Sequence, residues 1–159
     1  MDGSCTIERV NHRETATAFR IWTVFQKSYK AEAELLGVDS FPPLERSVES
    51  IRDSDNAFWC LLAGGQPGGV VEVDDQVTCL DICSLAVSPE FFRQGVATAL
   101  MSHVLSLATN RDVVVQTARL NVPAISLYRG FNFTETETRE GRDGIVLVSL
   151  IKKRTLAQL

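Results

Sequence analysis

The segment Val87 to Thr109, VSPEFFRQGVATALMSHVLSLAT, constrains this chain more than any other stretch of it. It opens at the end of an apolar run and crosses a short polar turn holding Gly95. It continues with Val96, Leu100, Val104 and Leu107 spaced along one helical face. A strand that feeds a glycine turn into a helix start predicts an anion site. The first helical turn carries backbone N–H groups with no intrahelical partner, and the macrodipole adds about half a positive charge there. Gly95 has no Cβ to hold an anion off those amides, and Ala97 and Thr98 add little bulk beside it. The expected ligand carries phosphate.

Other phosphate-binding patterns are missing. The loop has no GxxxxGK[ST] and the chain has no GxGxxG, so nucleotide hydrolysis and dinucleotide binding find no support. The run LAVSPEFFRQGVATALM instead resembles the acetyl-CoA loop of the GNAT superfamily of N-acetyltransferases. The family pattern is Q/R-x-x-G-x-G/A after a strand with an apolar end and a Pro-containing turn. Gly95 and Ala97 occupy its two small positions, whereas Phe92 stands where the family has Gln or Arg, with Arg93 beside it. Further on, NVPAISLYRGFNF resembles the family's later helix. Asn121, Ala124, Tyr128, Gly130 and Phe131 stand at its relative spacing. By motif the resemblance covers residues 78 to 135, and by order of elements it covers the whole chain.

The length of 159 residues suits one domain, 1–159. No apolar run approaches the roughly eighteen residues of a membrane span, and MDGSCTIERV is neither basic nor apolar enough for a signal peptide. No membrane partner and a cytoplasmic location are therefore expected. A net charge of −4 without a concentrated basic face argues against nucleic acid as a partner and mildly favours an amine substrate. Cys5, Cys60, Cys79 and Cys83 form no CxxC pair, and no His stands at metal-ligand spacing, so no metal is expected. These cysteines read as reduced, mostly buried small hydrophobes, with Cys79 and Cys83 on one face of a strand. His12 and His103 read as surface or boundary residues.

In chain order, Ser4 to Val10 is expected as a strand, and Asn11 with Glu14 as the cap of a helix running from His12 to Gly37. Phe19, Trp22, Phe25, Tyr29, Ala33 and Leu36 recur there at helical spacing. That stripe packs into the core or, at its C-terminal part, Tyr29 with Glu32 or Glu34 walls a substrate pocket. Phe41, Pro42 and Pro43 break the chain before a short helix over Leu44 to Asp53. Strands follow at Ala57–Ala63 and Gly69–Val73, joined by GGQPG, then a turn at Asp74 and Asp75 and a strand at Thr78–Val87. After the loop helix come a strand at Asp112–Thr117, a helix capped by Asn121, and a terminal hairpin of Phe131–Glu137 and Ile145–Lys152. The order is β-α-α-β-β-β-α-β-α-β-β. It predicts an α/β (α+β) fold in which a mixed sheet of about seven strands is flanked by about four helices, as the resemblance also implies.

Acetyl transfer to an amine needs a held donor, an unprotonated nitrogen, and a proton or hydrogen bond for the leaving thiolate. A lysine-like amine with a pKa of about 10.4 is almost wholly protonated at neutral pH, so a base or a water chain is required. The resemblance implies an assignment for each need. Tyr128 matches a tyrosine that donates to the departing sulfur. Asp81 stands where several family members carry a catalytic glutamate, one methylene longer. Glu32 and Glu34 are weaker candidates for that base. Leu85, Ala86 and Val87 supply backbone groups to the pantetheine arm, the Val87 N–H facing the thioester carbonyl. Arg93, Gln94, Gly95, Val96, Ala97 and Thr98 hold the pyrophosphate, and Asn121 contacts the cofactor or simply caps its helix. The activity implied is direct attack of an amine on acetyl-CoA, with no cysteine placed to relay the acetyl group. Family members often dimerise. Phe92 and the short Asp81 motivate a second reading, a catalytically weak acyl-CoA-binding regulatory module.

Overall fold

One pair of neighbouring strands in this protein runs parallel, and the segment singled out above joins its members. A parallel pair needs a crossover connection, normally a helix, and the chain supplies one between its fourth and fifth strands. The computed structural model describes residues 4–155. Its strands are β1 (Cys5–Arg9), β2 (Ala57–Ala63), β3 (Gln66–Asp75), β4 (Cys79–Val87), β5 (Asp112–Ala118), β6 (Thr134–Glu140) and β7 (Val146–Lys152). The helices are α1 (Thr15–Leu36), α2 (Val48–Arg52), α3 (Val96–Leu107) and α4 (Val122–Gly130). They follow the expected order, and the strands form one sheet ordered β1-β2-β3-β4-β5-β7-β6. Only β4 and β5 pair in parallel among the described strands.

Each face of the sheet buries its own core. Ala18, Ile21, Val24 and Phe25 of α1 and Ile51 of α2 pack on Phe58, Cys60, Val70 and Ala86. On the opposite face Val96, Leu100, Met101 and Val104 of α3, with Ile125 and Tyr128 of α4, cover Val71, Val73, Leu80, Ile82, Val113, Val148 and Leu150. The valines of β3 therefore serve both layers, Val70 on one and Val71 and Val73 on the other, whereas β5, expected to be buried on both faces, buries Val113 and Val115 on the α3 side alone and leaves Val114 half-buried.

Several local expectations are corrected. The helix foreseen over Leu44 to Asp53 divides into a 3-10 turn, Pro42–Glu45, and α2, because Arg46 and Ser47 are extended. The Ser47 hydroxyl accepts the Ser50 N–H at 3.1 Å and so starts a new helix. The N-cap of α1 is Glu14 and not Asn11, whose carboxamide oxygen accepts the Arg13 N–H one turn earlier. Asp74 and Asp75 lie inside β3, which begins at Gln66. His12 is buried, its Nε2 2.7 Å from the Ser54 carbonyl. Of the four free cysteines only Cys60 is buried, and Cys5 and Cys83 are exposed.

The feature that shapes the site is a bulge in β4. Val73 pairs with Ile82 and Glu72 with Ser84, which leaves Cys83 unopposed. An extra residue reverses the alternation of the strand. Leu80 and Ile82 face α3 before the bulge, Leu85 and Val87 pack on that same side after it, and Ala86 joins the α1 core. The parallel ladder ends at the same place, with Ile82 opposite Val115 as its last pair. Beyond it β4 and β5 part.

Candidate active site

The gap between the parted strands continues into a cavity of about 290 Å³. Cys83, Ser84 and Leu85 line it from β4, and Val115, Gln116, Thr117 and Ala118 from β5. The Ser88 N–H donates to the Gly68 carbonyl at 2.9 Å, so Ser88 faces β3. By the two-residue alternation Ala86 also faces β3, while the N–H groups of Leu85 and Val87 face away from it. The Val87 N–H donates to the Ser28 hydroxyl at 3.3 Å.

Beyond the end of β4 the chain turns into α3, whose first turn packs Val96 against Gly69 of β3. Gly95 is its N-cap with φ +78°, a left-handed conformation that disfavours any residue with a Cβ, and a Cβ built there would meet nothing within 4 Å. The first internal hydrogen bond runs from the Ala99 N–H to the Gly95 carbonyl, so the amides of Val96, Ala97 and Thr98 precede the helical ladder. Arg93 and Gln94 are exposed, and the Gln94 carboxamide donates to the Glu90 carbonyl at 3.0 Å. Phe92 is largely exposed.

The cavity is also lined by α1 and α4. Tyr128 is 4% exposed, its ring against Phe133, and its side chain reaches the cavity. Burial, with Tyr29 and Glu32 nearby, pushes its phenol well above the ordinary tyrosine value. Tyr29 also lines the cavity and is pushed up to about 12, first by burial and then by Glu32 and Glu72. Glu32 is the one carboxylate among the described lining residues. Its carboxyl is raised by burial, partly offset by the Asn121 carboxamide, which donates to it at 2.9 Å. The Asn121 oxygen meanwhile caps α4 by accepting the Ala124 N–H at 3.2 Å.

Thus Tyr29, Glu32, Leu85, Asn121 and Tyr128 come together in one cavity. Asp81 does not join them. It sits opposite Asp74 and Val114, and burial followed by Asp74 raises its carboxyl. Sequence reasoning missed a second polar group behind the bulge. Glu72, 2% exposed, takes two hydrogen bonds from Arg46 at 2.6 and 3.1 Å, one from Asn56 at 2.9 Å and one from the Ser84 hydroxyl at 2.8 Å. Burial alone would raise its carboxyl, but Arg46 and Asn56 outweigh it and hold it low. An acid between valines in VVEVDD was the only signal of it. The cavity is lined on its far side by Phe41, Pro42 and Pro43, by Arg142 and Ile145 of the β6–β7 turn and by Leu147 of β7, none of which the motifs pointed to.

A model of the acetyltransferase (GNAT) family matches residues 19–133, most of the chain and all of the cavity except its β6–β7 wall. The chain belongs to this family. A relative in Bacillus subtilis (strain 168), the UPF0157 protein YqkA, is 33% identical over 142 residues, 89% of this chain and 41% of that protein. The chain spans less than half the length of the curated relatives it matches. Among solved structures, the ribosomal-protein-S18-alanine N-acetyltransferase from Escherichia coli superposes with a TM-score of 0.76 at 18% identity, over 98% of this chain and 97% of that one. The PaiA N-acetyltransferase from Thermoplasma acidophilum, in complex with coenzyme A, superposes with a TM-score of 0.70 at 15% identity, over 96% and 99%. The mixed seven-stranded sheet is therefore the fold of this acetyltransferase family.

Proposed function

We propose that this protein transfers the acetyl group of acetyl-CoA to a primary amine by direct attack. The observation that carries the reading is continuity. β4 leads from a cavity holding a phenol and a carboxylate, through its bulge, to the turn that opens α3 with its free amides. A molecule with a pyrophosphate at one end and a thioester at the other fits that path. The coenzyme A in the Thermoplasma structure of the same fold supports it.

The pyrophosphate meets the amides of Val96, Ala97 and Thr98, and the pantetheine arm lies along Leu85 to Val87 where β4 lacks a partner. The acceptor nitrogen, once deprotonated, adds to the thioester carbonyl carbon. The C–S bond of the tetrahedral adduct then breaks, and the coenzyme leaves as thiolate. Tyr128, a phenol that burial keeps protonated, gives its proton to that sulfur, and the phenolate left behind takes the second proton from the acylated nitrogen, which restores the phenol and leaves the neutral amide. Glu32 takes the ammonium proton in preference to Asp81, because it alone places a carboxylate on the cavity wall. Backbone N–H groups in a dry gap stabilise the developing oxyanion, a donor of this kind contributing about 3 kcal/mol.

Calorimetry with acetyl-CoA on the wild type and on Gly95→Trp tests the reading. Binding that the substitution abolishes, together with acetylation of an amine followed by thiol release, is the expected result. Absence of acetyl-CoA binding by the folded wild type would overturn it.

A further inference from the structure

Resting on the amine-acetylation reading, we propose that the acceptor is a small primary monoamine with an apolar aliphatic or aromatic body, and that the cavity selects against polycations.

Charge comes first. Glu32 is the sole carboxylate among the described residues that line the cavity, and its one charge matches one ammonium group. The basic group on the facing wall is Arg142. A second ammonium on the same molecule would find no further carboxylate among the described residues that line the cavity. Burying a charge without a partner is strongly unfavourable.

The rest of the acceptor side is apolar and held in place. Phe41, 7% exposed, stands edge-on to Tyr29 with ring centroids 6.1 Å apart, and Tyr29 packs on Phe25 at 5.4 Å. Pro42 and Pro43 extend that wall, and Ile145 and Leu147 face the cavity from β7 and the turn before it. Aromatic rings locked against one another lose little freedom when a ligand arrives, so the burial of an apolar body is retained as affinity. Each CH₂ buried there is worth about fourfold in binding.

The two walls are also joined at their rims. Arg142 pairs with Glu45 at 2.8 Å, and the Ser40 hydroxyl donates to Asp143 at 3.1 Å, which ties the α1–α2 connection to the β6–β7 turn. Such a closed rim suits a compact amine.

The test compares phenylethylamine, ethylamine and spermidine in two ways. Initial rates are measured with saturating acetyl-CoA, and calorimetry follows each amine into the enzyme saturated with coenzyme A. Phenylethylamine should exceed spermidine in kcat/KM by about a hundredfold, within what pocket complementarity delivers. Phe41→Ala should lower kcat/KM for phenylethylamine about tenfold, mainly through KM, and lower that for ethylamine by clearly less. Phe41→Leu, which keeps an apolar wall, should retain most of the preference and serves if the alanine variant does not fold. Arg142→Gln, an exposed change, should raise the spermidine rate, an effect that loss of structure cannot produce. Spermidine turned over as well as phenylethylamine overturns the proposal. If no amine is acetylated, preferential binding of phenylethylamine to the coenzyme A complex upholds the selectivity while the transfer reading fails. Equal binding of the two overturns the selectivity as well.

Discussion

At the scale of single residues, the proposed transfer rests on two groups that burial perturbs, Tyr128 and Glu32. Burial raises the Tyr128 phenol, which keeps its proton available for a departing thiolate. Tyr128→Phe removes only the hydroxyl and should lower kcat by about tenfold to a hundredfold with little change in KM for acetyl-CoA, as steady-state kinetics would show. Burial also raises Glu32, and there it sets a pH limit. A base must be ionised to act, so kcat/KM should climb with pH through a value above the ordinary glutamate figure of about 4.3. Glu32→Gln should lower the rate and erase that limb of the pH–rate profile, leaving only the limb of the amine near pH 10. An unchanged low-pH limb would show that another group is the base. Tyr128 was reachable through the family resemblance, because the motif that carries it is local. The partnership of Glu32 with Asn121 spans 89 positions, and nothing in either neighbourhood of the sequence announces it.

At the scale of elements, the proposed cofactor site needs the first turn of α3 held close against the sheet, and Gly69 of β3 permits that approach. A Cβ at Gly69 would lie 2.6 Å from Val96 Cγ1 and 3.0 Å from Leu100 Cδ1, both buried side chains of α3. Gly69→Ala should push the helix start outward, cost about 1–3 kcal/mol by overpacking, and weaken acetyl-CoA binding in the same calorimetric titration used for the wild type. Gly130, at the end of α4, has open space around its Cβ position and no positive φ. Gly130→Ala should therefore stabilise by about 0.4–1 kcal/mol, visible as a higher Tm. The opposite signs separate close approach from chain entropy. Element order was legible because glycine turns and apolar periodicity act locally. The bulge at Cys83 was not, since it exists only as a mismatch between β3 and β4, and the division of the second helix was not, since Arg46 extends toward a Glu72 that lies 26 positions away.

At the scale of the whole molecule, the two cores flank the sheet, and a buried ion pair fastens the α1–α2 layer to the bulge. Arg46 reaches Glu72 while its guanidinium lies 5.7 Å from the Phe25 ring centroid and 5.8 Å from that of Phe58, and its carbonyl accepts the Trp22 indole N–H at 3.1 Å. Removing the cation strands a carboxylate in an apolar layer, so Arg46→Met should cost about 3–5 kcal/mol in urea unfolding at neutral pH. The pH dependence distinguishes this mechanism from simple loss of packing. In the wild type the folded-state pKa of Glu72 is depressed. Its contribution is therefore complete above the unfolded value of about 4.3 and is lost as pH falls through the lower folded value. In Arg46→Met the opposing guanidinium is gone and burial dominates, so the folded value rises above the unfolded one. Protonation then favours the folded state, and the gap between variant and wild type should narrow as pH falls from 7 toward 4. A gap that stays constant over that range would mean that Arg46 stabilises through its contacts with Phe25 and Phe58 rather than through its charge.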